Sequence, residues 1–411
     1  MAVTISPELC IRCKGKLLCG LKSCPLLKKT AVFKDIEPFK GKTEYAGPSP
    51  PAVFVSHFSY PKVSVAPLST PLSFENPALL DDPTRWYGIP AEDIVRFRYA
   101  LFRATDNLDV RSASDPPPFV QTLHDIALSK KPVDLDVSLS KGLNVSLDLN
   151  PISAPLGPKS DARSIQLASN PSTKSIVSKV YYDTDLSATD AITRLYNKGV
   201  LETKISSLLS VGALGVGSKR KLVPTRWAIT AIDDMLSKML LEDIEQYPLI
   251  SEYMLFHSRY LENDFYVLLL PSLWSFEHIE VWLAGSTWAK GKAVVAADYE
   301  LGRGRKTYAS SVTGAYYAAR LAVAEYLKYK RKQAAAIIFR EIHPEYSIPL
   351  GVWQIRENVR HALSSNPIIF DTLNSVLDHL RVRLVTPMDT WLSHSQLIPF
   401  FKSQTRLFDY F

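Results

Sequence analysis

The chain has 411 residues, of which 46% are hydrophobic, and its 48 basic and 41 acidic side chains give a formal net charge of +7. This length exceeds that of one small domain, and the apolar share suffices for one large core or two moderate ones. The sequence has no run of roughly 18 apolar residues and no signal-peptide core, so it predicts a cytoplasmic protein without a membrane partner. The small positive excess favours contact with phosphates but does not by itself indicate nucleic acid.

All four cysteines lie near the start of the chain, at Cys10, Cys13, Cys19 and Cys24. Such close spacing is typical of a metal site rather than of the disulfides of a secreted domain. Four thiolates suit tetrahedral zinc, which is the first choice. An iron–sulfur cluster is the alternative, because the Cys24-Pro25 pair is similar to runs that hold such clusters. Residues 1–30 are therefore predicted to form a four-cysteine metal module.

Residues 31–83 contain many prolines, which exclude a regular helix and predict an extended strap or linker with a short strand at 52–58. Residues 84–210 are predicted to form the N-terminal half of a folded body. Periodicity predicts helices at 91–104, 119–128, 188–197 and up to about 209, and strands at 133–139, 143–149 and 165–168.

Residues 211–398 are predicted to form the C-terminal half of the body. The predicted elements are helices at 224–244, 312–332, 352–362 and 368–380, and strands at 253–260, 264–270, 277–283 and 335–339. The fold class is thus α+β, a mixed body of helices and mainly antiparallel strands between the metal module and a flexible C-terminal tail.

Two basic stretches suit a nucleic-acid strand. The first holds four basic side chains and one indole just before a helix, and basic and stacking groups together are typical of nucleic-acid binding. Its candidate residues are Lys219, Arg220, Lys221, Arg226 and Trp227. The alternative is a solvated loop with Trp227 in the core. The second stretch is too short for a phosphate-binding P-loop, but Arg303, Arg305 and Lys306 are candidate phosphate contacts.

Several acidic residues could supply ligands for catalysis if they met in space. Carboxylates drawn together can hold Mg²⁺ or Mn²⁺ for phosphodiester hydrolysis, as in a metal-dependent nuclease. The candidates are Asp233, Asp234, Glu277, Glu280 and Asp298. For each of them alone, a surface or ion-pair role is the default interpretation.

The end of the chain, residues 399–411, carries a short peptide motif. Gln404, Leu407, Tyr410 and Phe411 match the pattern Gln-x-x-aliphatic-x-x-aromatic-aromatic of peptides that bind the sliding clamp of DNA replication (PCNA). In one helical turn the last three side chains share a face and form an apolar plug, which suits a reversible partner. The alternative is a terminal turn that packs on its own domain.

Further strings in the body resemble a known family. These strings are Asp183–Leu186, Arg220–Trp227, Ala228–Asp234, Phe276-Glu277, Gly314–Leu321 and Pro349–Trp353. They resemble the archaeal Nre family of DNA repair proteins. The resemblance implies an N-terminal cysteine module, a body in two halves, a clamp-binding tail, and a role in repairing DNA damage with the clamp as partner. It implies no set of catalytic residues.

The sequence leaves two main hypotheses and a weaker third. In the first, a repair protein recruited by the clamp binds DNA and itself processes it with metal-bound carboxylates. In the second, the protein is a non-catalytic adaptor that holds DNA while the tail tethers it to the clamp. In the third, the protein binds or hydrolyses nucleotides.

Overall fold

A computed structural model of the chain describes residues 32–143, 155–286, 289, 291–302, 304–346 and 349–403. The four cysteines, most of the predicted strand 143–149, Arg303 and the tail motif lie outside the described residues. The chain divides into two compact units. The first contains the described residues up to Leu236 together with Pro349–Gly351, and the second contains the remainder. The boundary lies within the helix Thr225–Ile244. The division of the body at residue 210 stays a prediction.

The first unit contains a mixed sheet of six described strands. They are β1 (Glu44–Ser49), β2 (Val53–Val55), β3 (Lys62–Ser69), β4 (Phe102–Asp109), β5 (Val133–Leu139) and β6 (Lys159–Leu167), in the order β1-β5-β6-β4-β3-β2. The β4–β6 pair is parallel, and the other pairs are antiparallel. The mainly antiparallel α+β class is confirmed for this unit.

Strands β1, β2 and β3 lie in the proline-rich stretch that the sequence assigned to a strap or linker. Two of its prolines lie in these strands. Pro48 is in β1, an edge strand, where a missing N–H is tolerated. Pro67 is in β3 at a gap in the pairing with β4, which passes from Val65 opposite Asp106 to Leu68 opposite Arg103. The prolines thus allow the stretch to join the sheet. The expectation that the stretch contains no regular helix is wrong at its start, where Val32–Ile36 is helical before the first proline, Pro38.

The helices of the first unit are α1 (Val32–Ile36), α2 (Ala91–Ala100), α3 (Pro118–Leu128), α4 (Ser175–Tyr182), α5 (Ala188–Asn197), α6 (Glu202–Ser210) and the start of α7 (Thr225–Ile244). The predicted helix 91–104 is too long, because the backbone becomes extended at Leu101 and enters β4. Residues 102–105 are all buried, and a strand buried on both faces lacks the alternation that would have revealed it.

The second unit contains another mixed sheet of six described strands. They are β7 (Tyr253–Tyr260), β8 (Asn263–Leu270), β9 (Phe276–Trp282), β10 (Val294–Glu300), β11 (Ala335–Ile342) and β12 (Ile368–Phe370), in the order β10-β9-β11-β8-β7-β12. The β9–β11 pair is parallel and the rest are antiparallel. The predicted helix 368–380 begins only after β12.

Helices cover both faces of this second sheet. One face carries the main hydrophobic core, which includes Ile279, Phe339 and Trp391 and is covered by α10 (Leu373–Arg381), α11 (Met388–His394) and α12 (Leu397–Ser403). The other face is covered by α8 (Gly314–Lys330) and α9 (Trp353–Ser364), which also pack on each other. In the described part of the chain, no helix is both long and apolar enough to cross a membrane.

Candidate functional site

The predicted basic segment, residues 219–227, runs along the surface of the first unit into α7. Lys219 and Lys221 are exposed, and Arg226 is half-buried. The indole of Trp227 is 43% exposed, so the alternative that it lies in the core is wrong. Arg220 differs from its neighbours because it is buried, and its guanidinium donates hydrogen bonds to the carbonyls of Gly215 and Tyr181. Phosphate contacts in this segment would therefore come from the other three cations.

Backbone hydrogen bonds fix this segment against the rest of the unit. The N–H of Leu222 donates to the carbonyl of Val110 at 2.7 Å, and the N–H of Val223 donates to that of Ser210 at 2.9 Å. A glycine is required at position 212, where φ is +69° and an added Cβ would lie 2.7 Å from the carbonyl oxygen of Lys221. The basic side chains thus project from an ordered backbone.

A second segment, the loop between β2 and β3, lies beside the basic segment. The ring centroids of Tyr60 and Trp227 are 5.3 Å apart, and Nη1 of Arg226 lies 3.3 Å from Nε2 of His57. Phe58 in the same loop is 65% exposed and contacts the His57 ring. Nothing in the sequence marks this loop as part of the surface, because its aromatic residues are far from the basic segment in the chain. These aromatic residues can be recognised as part of a binding surface only in the folded structure, where the loop lies next to the basic segment.

The second basic stretch is more constrained than the sequence suggested. The guanidinium of Arg305 donates to the carbonyls of Tyr299, Thr307 and Tyr308 and pairs with Asp298 at 3.1 Å. Because of these contacts, the guanidinium of Arg305 is already bound to other groups of the second unit. Lys306 is exposed, and Arg303 lies outside the described residues.

Glu277 is fully buried on β9 and has its own partners. The hydroxyl of Ser395 donates to its carboxylate at 2.5 Å, and the N–H of Gln396 does so at 2.6 Å. Burial raises the pKa of Glu277, and these hydrogen bonds counteract the rise only in part. The carboxyl group therefore supports the segment between α11 and α12.

Glu280 lies on the opposite face of β9, because a spacing of three residues in a strand reverses the direction of the side chain. Its carboxylate pairs with Arg340 on β11, and Arg340 also donates to the side-chain oxygen of Asn263 on β8. Asp298 on β10 accepts hydrogen bonds from the N–H groups of Ser311 and Val312 just before α8. Glu277 and Glu280 thus do not converge on one metal ion.

His278 is fully buried between these polar groups, directly opposite Asp298 in the β9–β10 pairing. Its Nε2 lies 3.6 Å from the carboxylate of Glu280. Burial, and then the positive charge of Arg340, hold the pKa of His278 well below its ordinary value, so the imidazole is neutral at pH 7. This neutral side chain extends the polar row formed by Arg340, Glu280 and Asp298 across the sheet.

The other two predicted acids, Asp233 and Asp234, belong to the first unit and lie on α7. Asp233 is fully buried and Asp234 is half-buried. Across the residues that the structure describes, no group of three or more His, Cys, Asp and Glu side chains is placed to hold a metal ion. The catalytic role of the five acids stays a prediction.

The fold and this surface define a two-unit α+β protein with an ordered basic and aromatic surface on its first unit. Family comparison agrees with the resemblance seen in the sequence. Residues 18–289 match the model described as "Archaeal Nre, N-terminal", and residues 300–410 match "Archaeal Nre, C-terminal". The chain therefore belongs to the archaeal Nre family.

Curated relatives match nearly the whole chain. The DNA repair protein NreB of Archaeoglobus fulgidus is 39% identical over 95% of this chain and 96% of its own length. The DNA repair protein NreA of the same organism is 37% identical over 90% of this chain and 92% of its own. NreA of Haloferax volcanii is 34% identical over 91% and 92%, respectively. No solved structure matches this chain significantly.

Proposed function

We propose that this protein acts in DNA repair and binds DNA through the basic segment, residues 219–227, of its first unit. The observation that carries the proposal is the exposure of Lys219, Lys221 and Trp227 on an ordered backbone, with Arg226 beside them. Lysine and arginine neutralise phosphates and release counterions, and an exposed indole offers a face to a base. The family membership and the names of the relatives supply the biological context.

We further propose that the last residues recruit the protein to the sliding clamp. Gln404, Leu407, Tyr410 and Phe411 carry this part of the proposal through their spacing alone. A peptide of this kind concentrates its binding energy in a few aromatic anchors, which allows exchange with other clamp partners. The clamp would deliver the basic segment to DNA.

The four cysteines, Cys10, Cys13, Cys19 and Cys24, are proposed to hold one zinc ion, with an iron–sulfur cluster as the alternative. A zinc ion bound by four thiolates is structural, because no coordination position is left for substrate. Its binding energy would stabilise the fold of the module.

A role as a clamp-tethered adaptor is the form of the proposal that the described geometry favours. Glu277, Glu280 and Asp298 each accept hydrogen bonds or ion pairs from within the second unit, as expected of structural acids. Processing of DNA by a metal-dependent centre is the second candidate, and Asp234 on α7 is its most accessible predicted ligand. Among the residues that the structure describes, no feature favours nucleotide binding.

The test is DNA binding measured by fluorescence anisotropy as a function of salt. Replacing Lys219, Lys221 and Arg226 by Gln should weaken binding. The slope of log affinity against log salt should fall by the amount that roughly three phosphate contacts contribute. The matched control replaces exposed cations of the other unit, Lys330 and Lys332, by Gln. If the triple variant binds with the affinity and the salt slope of the wild type, the proposal fails.

The same protein preparation can be used to test whether the protein cleaves DNA. Wild-type protein that cleaves DNA only with Mg²⁺ or Mn²⁺, combined with an inactive Asp234→Asn variant that still binds, would establish the second candidate. Cleavage that survives Asp234→Asn would instead assign the centre to other residues.

A further inference from the structure

We propose that the first unit binds an unpaired DNA strand by stacking bases on an aromatic cluster formed by Phe58, Tyr60 and Trp227. The inference rests on the proposed function and specifies its substrate class. The three side chains come from two segments of the chain, the β2–β3 loop and the start of α7. Tyr60 and Trp227 are in ring contact. Phe58 lies in the same loop as Tyr60 and packs on His57, which contacts Arg226 of the basic segment.

The exposure of this cluster is the first argument. Phe58, Tyr60 and Trp227 are 65%, 49% and 43% exposed, and Tyr60 and Trp227 are in ring contact. Scattered apolar side chains on a surface are ordinary, but adjoining aromatic rings that stay exposed indicate a binding surface. Their position outside the core means that folding does not require all three rings.

The order of the loop is the second argument. The N–H of Lys62 donates to the carbonyl of Ser59 at 2.9 Å, and the N–H of Phe58 donates to the hydroxyl of Ser56 at 3.2 Å. Ser59 is held at a φ of +63°, a conformation that L-residues adopt only when their surroundings impose it. The rings are therefore presented from a fixed backbone, so little conformational entropy is lost on binding.

The charge around the cluster is the third argument, and it selects the partner. Arg226 adjoins the cluster through its contact with His57, and Lys62 closes the loop that carries Phe58 and Tyr60. The N–H of Val110 donates to the carbonyl of Pro61, while the carbonyl of Val110 accepts from Leu222 next to Lys221. Val110 thus joins the aromatic loop to the basic segment, and cations beside exposed rings match a polyanion with stacking groups.

The exposed aromatic rings together with the nearby cations favour single-stranded DNA over duplex DNA as the substrate. In duplex DNA the faces of the bases are covered by their neighbours, so aromatic side chains gain stacking only on unpaired bases. Cations serve both substrates, because both carry phosphates. Stacking should therefore appear as a preference for single-stranded DNA that does not depend on salt, added to a salt-dependent binding common to both.

The experiment compares oligonucleotides of one length, single-stranded and duplex, over a range of salt concentrations. The full-length Phe58→Ala/Tyr60→Ala variant should lose roughly 10- to 100-fold in affinity for the single strand and keep the wild-type salt slope. Its affinity for the duplex should change less than about threefold. Tyr60→Phe, which keeps the ring, should bind as wild type does.

The control is Tyr329→Ala, which removes a tyrosine that is 81% exposed in the second unit. If the double variant binds the single strand with wild-type affinity, while the Gln variant of the basic segment is weakened, stacking is overturned and the proposed function stands. Equal losses on both substrates also overturn stacking, and a wild-type protein that binds neither substrate overturns both proposals.

Discussion

Arg340 on β11 and Glu280 on β9 form a buried ion pair, with Nη1 and Oε1 2.5 Å apart. The guanidinium also lies over the rings of Phe265 and Trp282 and donates to Asn263. Glu280, one of the predicted metal ligands, thus compensates a positive charge inside the second unit. Removing one member of such a pair leaves an uncompensated buried charge.

We expect Glu280→Gln to lower the free energy of unfolding by about 3 kcal/mol. Chemical denaturation with and without Mg²⁺ is the measurement, and the loss should be the same in both. The control is Asp378→Asn in the exposed pair Asp378–Arg381, which should cost less than about 0.5 kcal/mol. A loss that appears only with Mg²⁺ would restore Glu280 as a metal ligand, and no loss at all would contradict the structural role.

Lys204 gives a prediction about pH. Its ammonium donates to the carbonyl of Ser129, and burial, with a smaller effect of the charge on Lys174, lowers the pKa of Lys204 from 10.5 to about 7. Between about pH 7 and pH 10.5 the unfolded chain therefore holds a proton here that the folded chain has lost. The free energy of unfolding should rise with pH across this window because of this group.

Lys204→Met should remove that part of the rise. Urea unfolding of both proteins at several pH values between 7 and 10 measures the difference, and the variant should show the flatter profile. Lys198→Met, at an exposed lysine of the same unit, is the control and should leave the profile unchanged. Parallel profiles for wild type and Lys204→Met would mean that Lys204 titrates normally in the folded state.

The metal module is tested by elemental analysis. Wild-type protein should contain one zinc per chain, and Cys13→Ser should lose most of it, because three thiolates and water bind zinc less tightly than four thiolates. Ser23→Ala, next to Cys24, is the matched control and should keep the metal. A brown protein that absorbs visible light would point to an iron–sulfur cluster, and a metal-free wild type would refute the module.

The tail is tested by calorimetry against the sliding clamp. Tyr410→Ala/Phe411→Ala should abolish measurable binding, since both aromatic anchors of a short peptide are lost. Thr405→Ala changes a position that the motif leaves open and should stay within about twofold of wild type. Wild-type affinity in the double variant would mean that the tail is not the clamp-binding element.

The sequence predicted the elements that have a clear local pattern. Strand β5 alternates between buried and exposed positions, and α5 begins with a capping serine, Ser187, whose side chain accepts from Asp190 N–H. Both were predicted with the observed bounds. Strand β10 was missed because its burial does not alternate regularly, and β1 and β3 were missed because prolines were given more weight than pairing.

The proposed DNA-binding surface, too, could be predicted only where a local sequence pattern reveals it. The basic segment is continuous in the chain, so its composition alone reveals it. Phe58 and Tyr60 join it only through tertiary contacts, which no local pattern contains. The separation of Glu277 from Glu280, in contrast, follows from the two-residue period of a strand and could have been derived from the predicted strand 277–283.

The claim that the first unit carries the DNA-binding surface can be tested most directly by photocrosslinking. Single-stranded DNA with 5-iododeoxyuridine would be crosslinked to the full-length protein, and the modified peptides would be identified by mass spectrometry. We expect crosslinks at Trp227 and in the loop that holds Phe58 and Tyr60, and we expect them to be lost at high salt. Crosslinks confined to the second unit, with none in residues 56–62 or 219–227, would contradict it.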